Sequence, residues 1–162
     1  MSRSESESRI TQSVLDRLID DERDRPADAP PTRMRSLRAL KQALRRDLEW
    51  LLNTRCSIPP LPPDLVQTEK SLMLYGLPDF SAASVKNPTD RVHMLRTLEK
   101  AIAQFEPRLQ SVVVTLETGG ETERALRFRI DAQLAVDPAP EPVTFDTKLQ
   151  LYSGEYEVKE EE

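Results

Sequence analysis

Apolar residues recur at every third or fourth position over 35–53, at Leu37, Leu40, Leu44, Leu48 and Leu51. That spacing marks one buried stripe along an α-helix. It returns over 90–105, at Val92, Leu95, Ile102 and Phe105, with Leu98 near the same face. A shorter stretch, 12–20, gathers Val14, Leu15, Leu18 and Ile19 on one side. Beyond residue 108 the period changes to two. Val112, Val114 and Leu116 alternate with Ser111, Val113 and Thr115. Leu126, Phe128, Ile130, Ala132, Leu134 and Val136 alternate with Arg127, Arg129, Asp131 and Gln133. Val143, Phe145, Thr147, Leu149 and Leu151 alternate with Thr144, Asp146, Lys148 and Gln150. Clean alternation predicts antiparallel strands, packed on one face and wet on the other. The expected fold is α+β, with three N-terminal helices packed on one face of a C-terminal antiparallel β-meander.

Turn-forming residues divide these elements. A Ser/Glu-rich N-terminus, 1–10, reads as disordered. The first helix, 11–21, is followed by a charged linker with three prolines, 22–34. An apolar helix on such a tether either packs back on its own core or docks on a larger neighbour. Residues 35–154 are expected to form a single α+β domain, and the acidic tail 155–162 is expected to fray. Asn87 can cap the helix over 90–105, and Pro88 suits its first position. The run Tyr75-Gly76-Leu77-Pro78-Asp79-Phe80 reads as a tight, packed turn, and Thr118-Gly119-Gly120-Glu121 as a hairpin.

The junction between that helix and the first strand carries Glu106-Pro107-Arg108. Pro107 disfavours helical backbone at Glu106, so the helix ends there. A carboxylate at a helix C-terminus meets the negative end of the macrodipole and calls for a cation. In extended backbone Arg108 points to the same side as Glu106. The pair either closes on itself and locks the corner, or offers both charges to a partner.

Composition narrows the classes of function. Charged residues make up 31% of the 162, and the net charge of −5 gives no overall excess for binding polyanions. The second helix does carry Arg35, Arg38, Lys41, Arg45 and Arg46 on its other faces. These form a solvated surface or meet an acidic protein. The single cysteine, Cys56, leaves no intrachain disulfide or multi-cysteine metal site and fits a reducing cytoplasm. No apolar run approaches the roughly 18 residues of a membrane span.

Candidate chemistry is sparse. There is no glycine-rich phosphate loop, and His93, the only histidine, lies beside an apolar helical stripe with no nucleophile placed near it. Acidic residues total 28, so paired carboxylates of the glycosidase kind have to be weighed. Sugar clefts also stack aromatic rings, and aromatics are 5% of the chain with Trp50 the one tryptophan. No catalytic residue, cofactor or metal ligand is assigned, and the chain is expected not to be an enzyme.

Three runs together resemble TssE, the baseplate wedge subunit of bacterial type VI secretion. They are Arg46-Asp47-Leu48-Glu49-Trp50-Leu51-Leu52-Asn53-Thr54-Arg55, Leu74-Tyr75-Gly76-Leu77-Pro78-Asp79-Phe80-Ser81, and Phe105-Glu106-Pro107-Arg108-Leu109. The segment Ser13-Val14-Leu15-Asp16-Arg17-Leu18 is similar as well, so the resemblance runs over roughly 13–151. The family is similar to the small wedge protein of contractile phage tails and is often labelled lysozyme-like. The resemblance implies a structural subunit that joins TssF, TssG and TssK, sits in the cytoplasm in the membrane-docked baseplate, and offers a platform on which the TssB/TssC sheath starts to polymerise. It also implies that Glu106, Pro107 and Arg108 serve either sheath interaction or the stability of the corner. The first-helix residues Val14, Leu15, Leu18 and Ile19 then dock on the wedge. The competing readings are a peptidoglycan hydrolase (muramidase) and a generic adaptor binding an acidic partner through the second helix.

Overall fold

A computed structural model of the chain describes residues 13–18, 32–58, 61–62, 64–69, 71–80, 87–117, 125–150 and 154–160. The N-terminal tract, most of the linker, Ile19 and the Thr118-Gly119-Gly120-Glu121 turn lie outside the described residues. The helices are α1 (Val14–Leu18), α2 (Arg33–Asn53), α3 (Val66–Glu69) and α4 (Pro88–Phe105), with a 3-10 turn at Leu72–Leu74. The strands are β1 (Leu109–Glu117), β2 (Ala125–Leu134), β3 (Glu141–Gln150) and β4 (Tyr156–Glu160), paired antiparallel in the order β1-β2-β3-β4.

Three N-terminal helices stacked on a meander, the arrangement expected from the sequence, is not what forms. Only α2 and α4 bury apolar stripes, α2 with Leu40, Leu44, Leu48, Leu51 and Leu52, and α4 with Met94, Leu98 and Ile102. Between them the chain makes α3 and the 3-10 turn, neither of which the sequence predicted. The first helix adds no buried apolar side chain, since Val14, Leu15 and Leu18 are all exposed. The dimensions account for this. Four strands about 4.8 Å apart span roughly 15–20 Å, a width covered by two helices about 10 Å apart.

The acidic stretch expected to fray is also a strand. Tyr156 and Val158 in β4 are 2% and 0% exposed, and β4 pairs with β3 from Leu149↔Tyr156 to Phe145↔Glu160. They join Phe128, Ile130, Leu134, Phe145 and Leu149 on the buried face, where α2 and α4 close the core. On the wet face Arg129 Nε lies 3.5 Å from Glu117 and 3.7 Å from Asp146, a surface ladder that adds little to stability.

Local chemistry sets the helix ends. Thr32 Oγ1 accepts from the Arg35 amide at 3.3 Å, so α2 starts two residues before the expected 35. Asn87 Oδ1 accepts from the Thr89 amide at 3.0 Å, with Pro88 in the first turn of α4. After α2 the chain turns extended. The Cys56 amide donates to the Leu77 carbonyl and the Leu77 amide to the Thr54 carbonyl, both at 2.8 Å. Gly76 permits this clasp. Its φ is +112°, and a Cβ there would lie 2.5 Å from the Thr54 oxygen.

Candidate functional site

The α4–β1 corner is built from its own sequence. The Glu106 amide makes the last helical bond, to the Ile102 carbonyl at 2.8 Å, and Glu106 then leaves helical backbone at φ −123° and ψ 76°. The Leu109 amide returns to the Glu106 carbonyl at 3.0 Å, closing a tight turn around Pro107. Arg108 folds back on Glu106. Its Nε donates to Oε1 at 2.6 Å, its Nη2 donates to Oε2, and its backbone amide reaches Oε1 at 3.3 Å. Glu106 is buried, at 5% exposure. The fork geometry of arginine suits such a bidentate pair, and burial makes it stronger than a surface contact.

The pair is part of a larger cluster. Arg108 Nη2 also donates to Asp47 Oδ2 at 2.6 Å. Asp47 Oδ1 accepts from Arg46 Nε at 3.0 Å and Nη2 at 2.8 Å. Arg46 Nη2 donates in turn to Asp16 Oδ1 at 2.7 Å, and Asp16 Oδ2 stands 3.9 Å from Arg108 Nη1. The Arg46 guanidinium lies over the Trp50 ring, 5.0 Å from its centroid. Two guanidiniums thus hold three carboxylates from α1, α2 and the corner.

The electrostatics follow from these contacts. Hydrogen bonds to Glu106 outweigh burial and, with those to Asp47, hold the Arg108 guanidinium above its usual value. Burial pushes Asp16 up, but the Ser13 hydroxyl and the Arg46 and Arg108 charges outweigh it, and Asp16 stays below the usual carboxylate value. Ser13 Oγ donates to Asp16 Oδ2 at 2.6 Å. Tyr75 packs edge-on against Phe105, ring centroids 5.3 Å apart. Burial, and then the Asp47 and Glu106 charges, raise its hydroxyl above 10.0. A cluster so paired is suited to holding a shape. A general acid instead needs a carboxyl buried away from cations.

The structure therefore brings Glu106, Pro107 and Arg108 together with Arg46, Asp47, Tyr75 and Asp16. Asp16 and Asp47 escaped assignment from sequence. The available signal for Asp47 was its place between Leu44 and Leu48, where a carboxylate beside a buried stripe needs a cation. The α1 residues Val14, Leu15 and Leu18 remain exposed, at 73%, 50% and 76%. Most of the basic face of α2 is engaged within the chain. Lys41 pairs with Glu160 at 3.2 Å, Arg45 donates to the Val158 carbonyl at 3.4 Å, and Arg46 belongs to the cluster. His93 is exposed on α4. Cys56 is a free, half-buried thiol. Among the described residues no group of His, Cys, Asp and Glu could hold a metal ion, and no helix is long and apolar enough to cross a membrane.

No curated protein matches the chain. The family model of the baseplate wedge protein gp25 matches residues 38–139, more than half of it. The matched span contains Arg46, Asp47, Tyr75, Glu106 and Arg108, that is, all of the cluster except Asp16. The chain belongs to the baseplate wedge protein gp25 family.

Proposed function

We propose that this chain is the TssE wedge subunit of a type VI secretion baseplate, and that it serves there, without catalysis, as the platform on which the contractile sheath begins to polymerise. Membership of the wedge family assigns it a structural role among other baseplate proteins. The finer assignment is supported by the runs that resemble TssE, which lie far apart in sequence yet supply one cluster through Asp16, Arg46 and Asp47, Tyr75, and Glu106 and Arg108.

One observation carries the proposal. Arg108, fastened to both Glu106 and Asp47, is the residue immediately before β1, a margin of the sheet. The cluster thus anchors the position and direction of an edge strand. Edge strands recruit extended segments through main-chain hydrogen bonds, a mode that needs little side-chain information. TssB and TssC are the sheath partners in this reading, and the baseplate works in the cytoplasm against the membrane. TssF, TssG and TssK meet the wedge side, where Val14, Leu15 and Leu18 of α1 provide an apolar surface next to the cluster.

Two measurements test it. Glu106→Ala and Arg108→Ala are introduced in cells carrying fluorescent sheath, with protein level and fold monitored in parallel. Sheath numbers should fall severalfold for each variant; normal numbers in both would remove the corner from sheath assembly. Leu15→Asp with Leu18→Asp changes only exposed positions, and should abolish capture of TssF, TssG and TssK by the purified chain. Undiminished capture refutes docking through α1.

A further inference from the structure

The ion cluster at the α4–β1 corner holds one carboxylate more than its two guanidiniums need. Arg108 is paired by Glu106, through Nε and Nη2, and by Asp47. Arg46 is paired by Asp47, through Nε and Nη2. None of these pairings involves α1. Asp16 is the addition. Its Oδ1 accepts from Arg46 Nη2 at 2.7 Å and its Oδ2 stands 3.9 Å from Arg108 Nη1, so one carboxylate spans both guanidiniums.

The seating of α1 reverses that of an amphipathic helix on a core. Its carboxylate is the covered group, with the Asp16 side chain 7% exposed, while Val14, Leu15 and Leu18 face solvent. A helix of 5 residues has no stability of its own in water. The contact that seats it is the ion pair to Arg46, and the Ser13 hydroxyl closes its turn on the same carboxylate. Asp16 and Arg46 are 30 positions apart in one chain. Asp16 therefore acts as an intramolecular ligand with an effective concentration on the order of millimolar, and a carboxylate from outside competes with it on those terms.

We propose that Arg46 and Arg108 form a carboxylate seat, that α1 is the strap filling it in the free chain, and that an acidic side chain from a segment of a partner protein takes the seat when α1 leaves. Charge complementarity decides the occupant. The seat already holds a carboxylate between two fork-shaped cations, a geometry in which arginine recognises carboxylates well. Exchange leaves the corner intact, because Arg46 keeps Asp47 and Arg108 keeps Glu106 and Asp47. The half-exposed Trp50 ring, 5.0 Å from the Arg46 guanidinium, walls one side of the seat. The exposed apolar side chains of α1 are a handle by which a neighbour can draw the strap off. The docking of α1 proposed above supplies such a neighbour, but the seat does not rest on that reading.

Trp50, the one tryptophan of the chain, reports on the seat by its fluorescence. The purified full chain is titrated with a hexaglutamate peptide, and with hexaglutamine as the uncharged control. Asp16→Asn should bind hexaglutamate at least about fivefold more tightly than the wild-type chain, because the strap no longer competes. Adding Arg46→Gln to Asp16→Asn should weaken binding by about tenfold, the loss of a charge-assisted contact. Adding Arg38→Gln instead, an exposed position on α2, should leave binding unchanged. Thermal denaturation checks that each variant folds, and Arg46→Lys, which keeps the charge without the fork, should fall between. In the wild-type chain, saturating hexaglutamate should move the Ser13 and Val14 amide resonances to the positions they take in Asp16→Asn. Equal affinity of the wild-type and Asp16→Asn chains would overturn the strap. Binding weakened as much by Arg38→Gln as by Arg46→Gln would assign the peptide to the basic face of α2 and overturn the seat. Ser13 and Val14 resonances that stay in place at saturation would overturn the exchange. The sheath and wedge assignments enter none of these measurements, so they stand or fall separately.

Discussion

Arg108 Nη2 meets Asp47 Oδ2 at 2.6 Å although the two residues are 61 positions apart in sequence. The contact ties α2 to the turn that launches β1. Because Arg108 also grips the buried Glu106, the turn cannot shift without breaking both pairs.

Loss of the cation should cost more than loss of the pair. Arg108→Ala leaves Glu106 buried without its partner and should lower stability by about 2–4 kcal/mol. Glu106→Leu with Arg108→Met removes both charges and should cost less than Arg108→Ala alone, since Asp47 keeps Arg46. Urea denaturation of the three proteins reads the order, and an equal or larger loss in the double variant contradicts it.

Acid should release the N-terminal helix before it unfolds the core. The Asp16 carboxyl is held below its ordinary 3.8 when docked. A depressed value in the docked state means that docking is favoured above 3.8 and loses that support as pH falls through the lower docked value. The amide resonances of Ser13 and Asp16 should move toward free-peptide positions in that acidic window, while those of α2 hold. Asp16→Asn should show the released positions at neutral pH.

Gly76→Ala should destabilise the protein by at least about 2 kcal/mol, through positive φ together with a backbone clash. The clash is with the Thr54 carbonyl, which accepts from the Leu77 amide in the clasp between 54–56 and 77. Thermal denaturation checks the magnitude. A wild-type midpoint would mean that the clasp forms differently.

The acidic C-terminal stretch should behave as core at alternate positions. Val158→Asp buries an unpaired charge and should cost more than about 3 kcal/mol. Lys159→Ala, exposed on the next residue, should stay within about 0.5 kcal/mol. Equal effects at the two positions would contradict the pairing of β4 with β3.

Much of the fold was legible in local pattern. The stripes of α2 and α4, the Asn87 cap, the proline stop at Glu106 and the alternation of β1, β2 and β3 all follow from periods of three to four or of two. The failures share a cause. In β4 only Tyr156 and Val158 are apolar, among Glu157, Lys159 and Glu160 and next to Glu155, so local charge hides a strand that packs against Phe128 and α2. In α1 the apolar side looked ready to pack, yet its firmest contact to the core is through Asp16.

The amino-acid order by itself determined which face of each long element is apolar, because side-chain direction repeats with the backbone and needs no distant partner. It also determined where α4 must stop, because proline acts on its immediate neighbour. Only the tertiary structure decided that Asp16, Arg46, Asp47, Glu106 and Arg108 share one cluster, and that α2 side chains reach the backbone of β4. Ion pairs and edge contacts depend on distances through space between residues 30 and 61 apart in the chain, and those distances exist only once the two helices lie on the sheet.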